Sequence, residues 1–245
     1  MKAARIVKLN EPLQVQVHEE SAAFMACAYA KYTGKLGACL ATSGPGAIHL
    51  LNGLYDAKAD NTPVIAVTGT TYSDLMNSNY QQDVNLLQLY SDVTVYNDMI
   101  SVPEQAEMAV DIACRTALAQ RGVSHLTIPI DVQEKKLSGK YSRHNVAYHT
   151  AETMPNHSLI EKAARVLNSG RKIVILVGQG ALGAGDEVLA IAEKLEAPVV
   201  KALLGKAVVP DDNQYSLGGL GLLGTEPSSD AMSEADTLLM VGTSL

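Results

Sequence analysis

Glu19 stands where a short apolar run, Leu13–Val17, gives way through His18 to a small-residue stretch beginning Glu19-Glu20-Ser21-Ala22-Ala23. A carboxylate at such a junction has two uses. As a first-turn acid, Glu19 or Glu20 is stabilised by the helix macrodipole. Part-buried and able to share a proton, it serves acid–base chemistry with its pKa raised. A second feature is the turn Ser43-Gly44-Pro45-Gly46, which ends another apolar run, Leu36–Ala41. Backbone amides at a helix start suit an anion or the polar edge of a ring. His49 follows three residues after Gly46, and the reading leaves open whether it lines that cleft or is a polar residue on an apolar helix. His18 reads as an orienting neighbour. Two glycine loops, Gly178–Gly185 and Gly218–Thr225, allow backbone to approach a dinucleotide. They fit tight strand–helix turns equally well.

The elements that must position these groups alternate in type. Leu13–Val17 reads as a strand. Glu20–Thr33 reads as a helix closed by Gly34, with alanines on neighbouring rows that require close approach to another backbone. Leu36–Ala41 is a buried-type strand, 46–59 a helix, and Val64–Thr68 a strand ended by Gly69. Residues 70–85 are polar and unlike core. Val93–Tyr96 reads as a short strand, Pro103–Gln120 as a helix with proline near its start, and His125–Ile130 as a strand. Composition breaks over 135–156, read as a linker. Beyond it come a helix at Leu159–Leu167, strands at Lys172–Val177, Pro198–Ala202 and Thr237–Val241, and a helix at Asp186–Leu195. The fold class is α/β, two doubly wound parallel-sheet units, with domains at 1–134 and 157–245. A strand delivering a carboxylate beside a glycine turn is how such sheets build sites at strand C-termini.

The totals bound the function. A formal charge of −7 over 245 residues, with no local run of Lys or Arg, argues against a nucleic-acid surface. The three cysteines, Cys27, Cys39 and Cys114, are odd in number and widely spaced, and read as reduced residues of a cytoplasmic protein. No C-x-x-C zinc spacing occurs, and no residue is assigned to a metal. No window reaches the ~18 apolar residues of a membrane span, and the N-terminus lacks a signal core.

The chain resembles the thiamine diphosphate-dependent 2-oxo acid enzymes, closest to pyruvate oxidases and quinone-linked pyruvate dehydrogenases, with acetolactate synthases nearby. The motifs are HEESAAFMACAYAKYTG (18–34), ATSGPGAIHLLNGLYDAKADNTPVIAVTG (41–69), YQQDVN (80–85), IPIDVQ (128–133), VGQGALGAG (177–185), KALLGKAVVPD (201–211), GGLGLLGT (218–225) and TLLMVGTS (237–244). The resemblance implies a pyrimidine-binding domain followed by a central domain of FAD type. It implies that Glu19 hydrogen-bonds N1′ of the cofactor's aminopyrimidine, and that Thr42, Pro45, Gly46 and His49 line its pocket. Tyr80 and Gln81 match an aromatic–glutamine pair approaching the substrate. At the next position the family often has Glu where this chain has Gln82. Gly178, Gly180, Gly221, Leu222, Leu223, Gly224, Gly242 and Thr243 would contact FAD.

The implied activity is decarboxylation of a 2-oxo acid, pyruvate first, with electrons passed to FAD. An acetolactate synthase-like carboligase and a non-catalytic remnant or oligomerisation module are the alternatives. The family's Gly-Asp-Gly signature, which holds magnesium and the diphosphate, does not occur here. Both ends read as cut, so the expectation is a weakly folding fragment that binds only the pyrimidine end. It would act as a homo-oligomer or with a chain carrying the diphosphate domain. Membrane contact would be peripheral at most, if the enzyme is quinone-linked.

Overall fold

The computed structural model describes residues 18–137 and 154–243. The expected strand Leu13–Val17, most of the expected linker and Ser244-Leu245 lie outside the described residues. The chain divides into two compact units, 1–151 and 152–245, and each is built on a four-stranded, all-parallel sheet.

In the first unit α1 spans Glu19–Thr33. Its start is capped by the His18 side chain, which accepts from the Glu20 amide, and its end by left-handed Gly34. β1 (Gly37–Ala41) leads through the glycine turn into α2 (Pro45–Ala59), and β2 is Val64–Thr70. A short α3 (Leu86–Tyr90), β3 (Thr94–Met99), α4 (Ala106–Gln120), β4 (Val123–Pro129) and α5 (Ile130–Glu134) complete it. The sheet order is β1-β2-β4-β3. The alanine rows do what their size predicts: Ala23, Ala26, Cys27 and Ala30 are buried, and α1 lies directly on α2 and β1. At Gly53 of α2 an added Cβ would sit 2.6 Å from the Ala23 Cβ and the Phe24 backbone nitrogen. At the rim Lys31 reaches Asp56 at 2.9 Å, and the Cys27 thiol donates to the same carboxylate.

Inside the sheet His125 is fully buried on β4. Its Nε2 meets the Thr68 hydroxyl and its Nδ1 the Asn97 Oδ1, both at 2.8 Å. Its ring stacks on Tyr90 at 3.8 Å, and the Tyr90 hydroxyl donates to the Ala47 carbonyl in the first turn of α2. Burial holds the imidazole neutral, its pKa lowered from 6.5 to about 3.

In the second unit α6 (His157–Ser169) is capped by Asn156. β5 (Ile173–Val177), α7 (Gly185–Leu195), β6 (Val199–Lys201), β7 (Ser216–Gly219), α8 (Glu226–Glu234) and β8 (Thr237–Val241) follow. The order β7-β6-β5-β8 reverses direction between β5 and β8, where doubly wound sheets place ligands.

Several boundaries differ from the sequence reading. Gly69 lies within β2, paired with Ile128, because the ladder to β4 holds it whatever its local propensity. Thr70 and Thr71 are buried, although they open the polar stretch. β3 runs to Met99, past the expected Tyr96. Gly218 and Gly219, read as a turn, belong to β7, where Gly218 adopts φ 102° beside a register shift, the usual place for glycine in an edge strand. α3, α5 and α8 were not foreseen, the first two being a single turn each.

Two outcomes test this packing. Gly53→Ala gains about 1 kcal/mol of helix propensity, but its methyl must displace α1 backbone, and overpacking costs about 1–3 kcal/mol. The expected result is a lower urea midpoint, and a variant at least as stable as wild type would contradict the close packing. His125 is neutral when folded and regains its ordinary proton affinity on unfolding. The stability it lends is therefore complete above pH 6.5 and is lost as pH falls towards about 3. Each pH unit in that window costs about 1.4 kcal/mol, so His125→Gln should flatten the decline in unfolding free energy between pH 7 and 5. Equal slopes for both proteins would contradict it.

Candidate functional site

The packing of α1 on α2 sets the first residue of one helix beside the first turn of the other. A Cβ built at Gly46 would lie 3.3 Å from Glu19 Oε1 and 2.8 Å from Thr42 Cγ2. The carboxylate and the glycine turn therefore lie close together, and a side chain at position 46 would crowd Thr42 and the Glu19 carboxylate. Glu19 Oε2 lies 3.2 Å from His49 Nδ1, and the His49 ring stacks on that of His18 at 4.7 Å. Glu20 is used differently: its Oε1 accepts from Asn52 Nδ2 at 2.7 Å, a tie between the helices. Neighbours in sequence, the two acids are thereby separated in role.

The sequence reading expected the Glu19 pKa to be raised, and the structure corrects it. A hydrogen bond from its own backbone amide, followed by the hydrogen bond from His49, holds the carboxyl below its ordinary range. Desolvation acts in the opposite sense and is weaker, because the side chain is about one-third exposed.

The polar stretch after β2 closes over the turn through Gln82. Its Oε1 accepts from the Ser43 hydroxyl at 3.0 Å, and its side chain packs where a Cβ at Gly44 would stand. Gln82 itself sits at φ 63°. The loop is pinned at its start by Ser73, whose amide and hydroxyl both donate to Asp131 Oδ1. Tyr80 and Gln81 are exposed, and among the described residues no side-chain hydrogen bond joins either to the turn. Pro45 opens α2, and Thr42 lies at the bend before it.

His18, Glu19 and His49 present ligand atoms all within 4.8 Å of one another, so these three could hold a metal ion. Nothing in sequence spacing marks the set, because positions 18 and 49 meet only through the helix pair.

In the second unit the first glycine loop closes on the residues that follow β8. A Cβ at Gly178 would meet the Gly242 carbonyl at 2.5 Å and the Thr243 side chain at the same distance. One at Gly180 would lie 2.8 Å from Gly242 Cα. Backbone thus occupies the space at these positions between the ends of β5 and β8. A cleft of about 570 Å³ opens instead at the ends of β6 and β7, lined by Lys201, Leu203, Lys206, Asp211, Leu222 and Leu223 among others. Leu222 and Leu223 are almost wholly exposed at its rim, between Gly221 and Gly224. Sequence reasoning missed Lys201. Its ammonium is fully buried, donating to the Val209 carbonyl and paired with Asp211. The signal was a lysine ending the apolar run Val199-Val200, with Asp211 ten residues on.

Comparison with known proteins agrees with this division. Residues 11–89 match the thiamine pyrophosphate enzyme N-terminal TPP binding domain, and residues 160–245 match the thiamine pyrophosphate enzyme central domain. YdaP of Bacillus subtilis, provisionally named a thiamine pyrophosphate-containing protein, is 41% identical over 227 residues, covering 93% of this chain and 40% of the relative. Acetolactate synthase isozyme 2 large subunit of Escherichia coli is 35% identical over 232 residues, 92% of this chain and 41% of the relative. Pyruvate oxidase of Lactiplantibacillus plantarum is 32% identical over 227 residues, 92% and 38%. The chain thus spans about two-fifths of the length of these relatives. Among the described residues no helix is long and apolar enough to cross a membrane. On these matches the chain belongs to the thiamine pyrophosphate enzyme family, with stretches that match its N-terminal binding domain and its central domain.

Proposed function

We propose that these residues form the pyrimidine-binding wall and central domain of an enzyme that decarboxylates a 2-oxo acid, pyruvate first, and passes electrons to FAD. The observation that carries the reading is the Glu19 carboxylate set against the glycine turn, 3.3 Å from where a Cβ at Gly46 would stand. The donor set fits the polar edge of an aminopyrimidine: a carboxylate, a glycine that lets it approach the turn closely, and a turn pinned by Ser43 and Gln82. Thiamine diphosphate, when bound, supplies a nucleophilic carbon and an electron sink for loss of carbon dioxide. Glu19 holds a proton against the ring nitrogen N1′, while His49 fixes the second carboxylate oxygen. Ring entry strips water from Glu19, which favours the shared-proton state over the free carboxylate. Thr42 and Pro45 shape the turn, and Tyr80 and Gln81 stand on the loop above it as candidate substrate contacts.

FAD would lie along the cleft bounded by Leu222 and Leu223, whose exposed side chains suit a flat ring. Gly178, Gly180, Gly242 and Thr243 would then support the neighbouring loops. Magnesium and the diphosphate would be held by a domain outside these residues, on this polypeptide or on a second chain in a homo-oligomer. No nucleic acid is involved, and three unpaired cysteines support a cytoplasmic setting. A carboligase reading is favoured by the acetolactate synthase relative.

Saturation-transfer NMR tests the reading. The pyrimidine protons of thiamine diphosphate should receive more transfer from the chain than the thiazolium protons. Glu19→Gln should weaken binding by about tenfold or more, as expected for a lost charge-assisted hydrogen bond. No transfer, or equal affinity in both proteins, would contradict it. With a diphosphate-domain chain, magnesium and pyruvate added, Glu19→Gln should lower carbon dioxide release by about 10²–10⁴. Acetolactate as product would favour the carboligase, and a reduced flavin the oxidase.

A further inference from the structure

We propose that His18, Glu19 and His49 form a site for a borderline divalent transition cation such as Zn²⁺. Their ligand atoms converge within 4.8 Å from the starts of two different helices. The tightest pair, His49 Nδ1 and Glu19 Oε2, is already 3.2 Å apart. With Zn–N and Zn–O bonds of about 2.0–2.2 Å, that separation subtends roughly 100° at the metal, close to the tetrahedral angle. A cation can therefore replace the proton that now joins the two groups without separating them. His18 completes the set. Its ring stacks on that of His49, with planes 20° apart, and its side chain is half exposed. Its Nδ1 accepts a long surface bond, 3.3 Å, from the Glu20 amide.

Two imidazoles and one carboxylate are ligands for zinc, nickel or copper, whereas magnesium prefers oxygen and water. All three side chains are at least one-third exposed, so water can reach a cation bound there. The site therefore discriminates by ligand type. A cation held there occupies the carboxylate that would otherwise meet a ring nitrogen, so it blocks the aminopyrimidine. That consequence rests on the proposed function; the cation site itself does not.

Calorimetric titration of Zn²⁺ into the purified chain is the test, repeated on His18→Gln, Glu19→Gln and His49→Gln, with circular dichroism to show that each variant folds. The expected result is one site, weakened about tenfold or more by each substitution and not displaced by excess Mg²⁺. Co²⁺ bound in its place should show visible ligand-field bands and no thiolate charge-transfer absorption, which distinguishes this site from Cys27, Cys39 and Cys114. Wild-type affinity in the variants, displacement by magnesium, or a thiolate band would overturn the site. If zinc binds as expected but thiamine diphosphate does not compete with it, the blocking role falls and the cation site stands. If Glu19-dependent thiamine binding is absent while zinc binding persists, the proposed function fails by itself.

Discussion

The close approach of α1 to α2 is the constraint on which the candidate site depends. Helices separated by ordinary leucine-sized side chains would carry Glu19 away from the turn at Ser43–Gly46. Alanines on one helix and Gly53 on the other remove that spacer, so backbone meets backbone and the two helix starts come together. Glu19, His49 and Gly46 are neighbours for this reason, and Glu20 and Asn52 tie the same pair one step further along. The buried stack of Tyr90 on His125 supports the arrangement from beneath. Tyr90 bonds a carbonyl in the first turn of α2, and His125 is fixed on both ring nitrogens by β2 and β3.

The second unit solves a different problem. Its strand order creates the reversal point at which dinucleotides bind in related sheets, yet glycine backbone from the ends of β5 and β8 fills the space there. The open volume has moved to β6 and β7, around a buried lysine neutralised by Asp211. Glycine in such loops has two explanations, access for a ligand and access for another glycine, and residues 178, 180 and 242 satisfy the second through one another.

Local pattern carried most of the architecture. The helix from Glu19 to Gly34 was readable because its cap, its small-residue rows and its terminating glycine agree, and the strands at 64 and 173 because their apolar runs are unbroken. Gly69 and Gly218 were misread because glycine marks a break only when no neighbouring strand supplies hydrogen bonds. Single-turn α3 and α5 left too few residues to show a period. Within the site, Glu19 and the turn were legible from residue type and from the family resemblance. Its ionisation was not, because the pKa direction depends on an amide and an imidazole brought in by folding. His18 with His49, Gln82 on Ser43, and Lys201 with Asp211 are likewise tertiary pairings between positions that sequence order keeps apart.

The central claim is that Glu19 engages the aminopyrimidine ring nitrogen beside the turn at Gly46. The most direct measurement is the ¹⁵N chemical shift of N1′ in labelled thiamine diphosphate bound to the chain. The account predicts an upfield displacement on binding, from hydrogen bonding or protonation at that nitrogen, that disappears when Glu19 is replaced by glutamine. An N1′ resonance that stays at its free position in the bound state, or moves equally in both proteins, would contradict it.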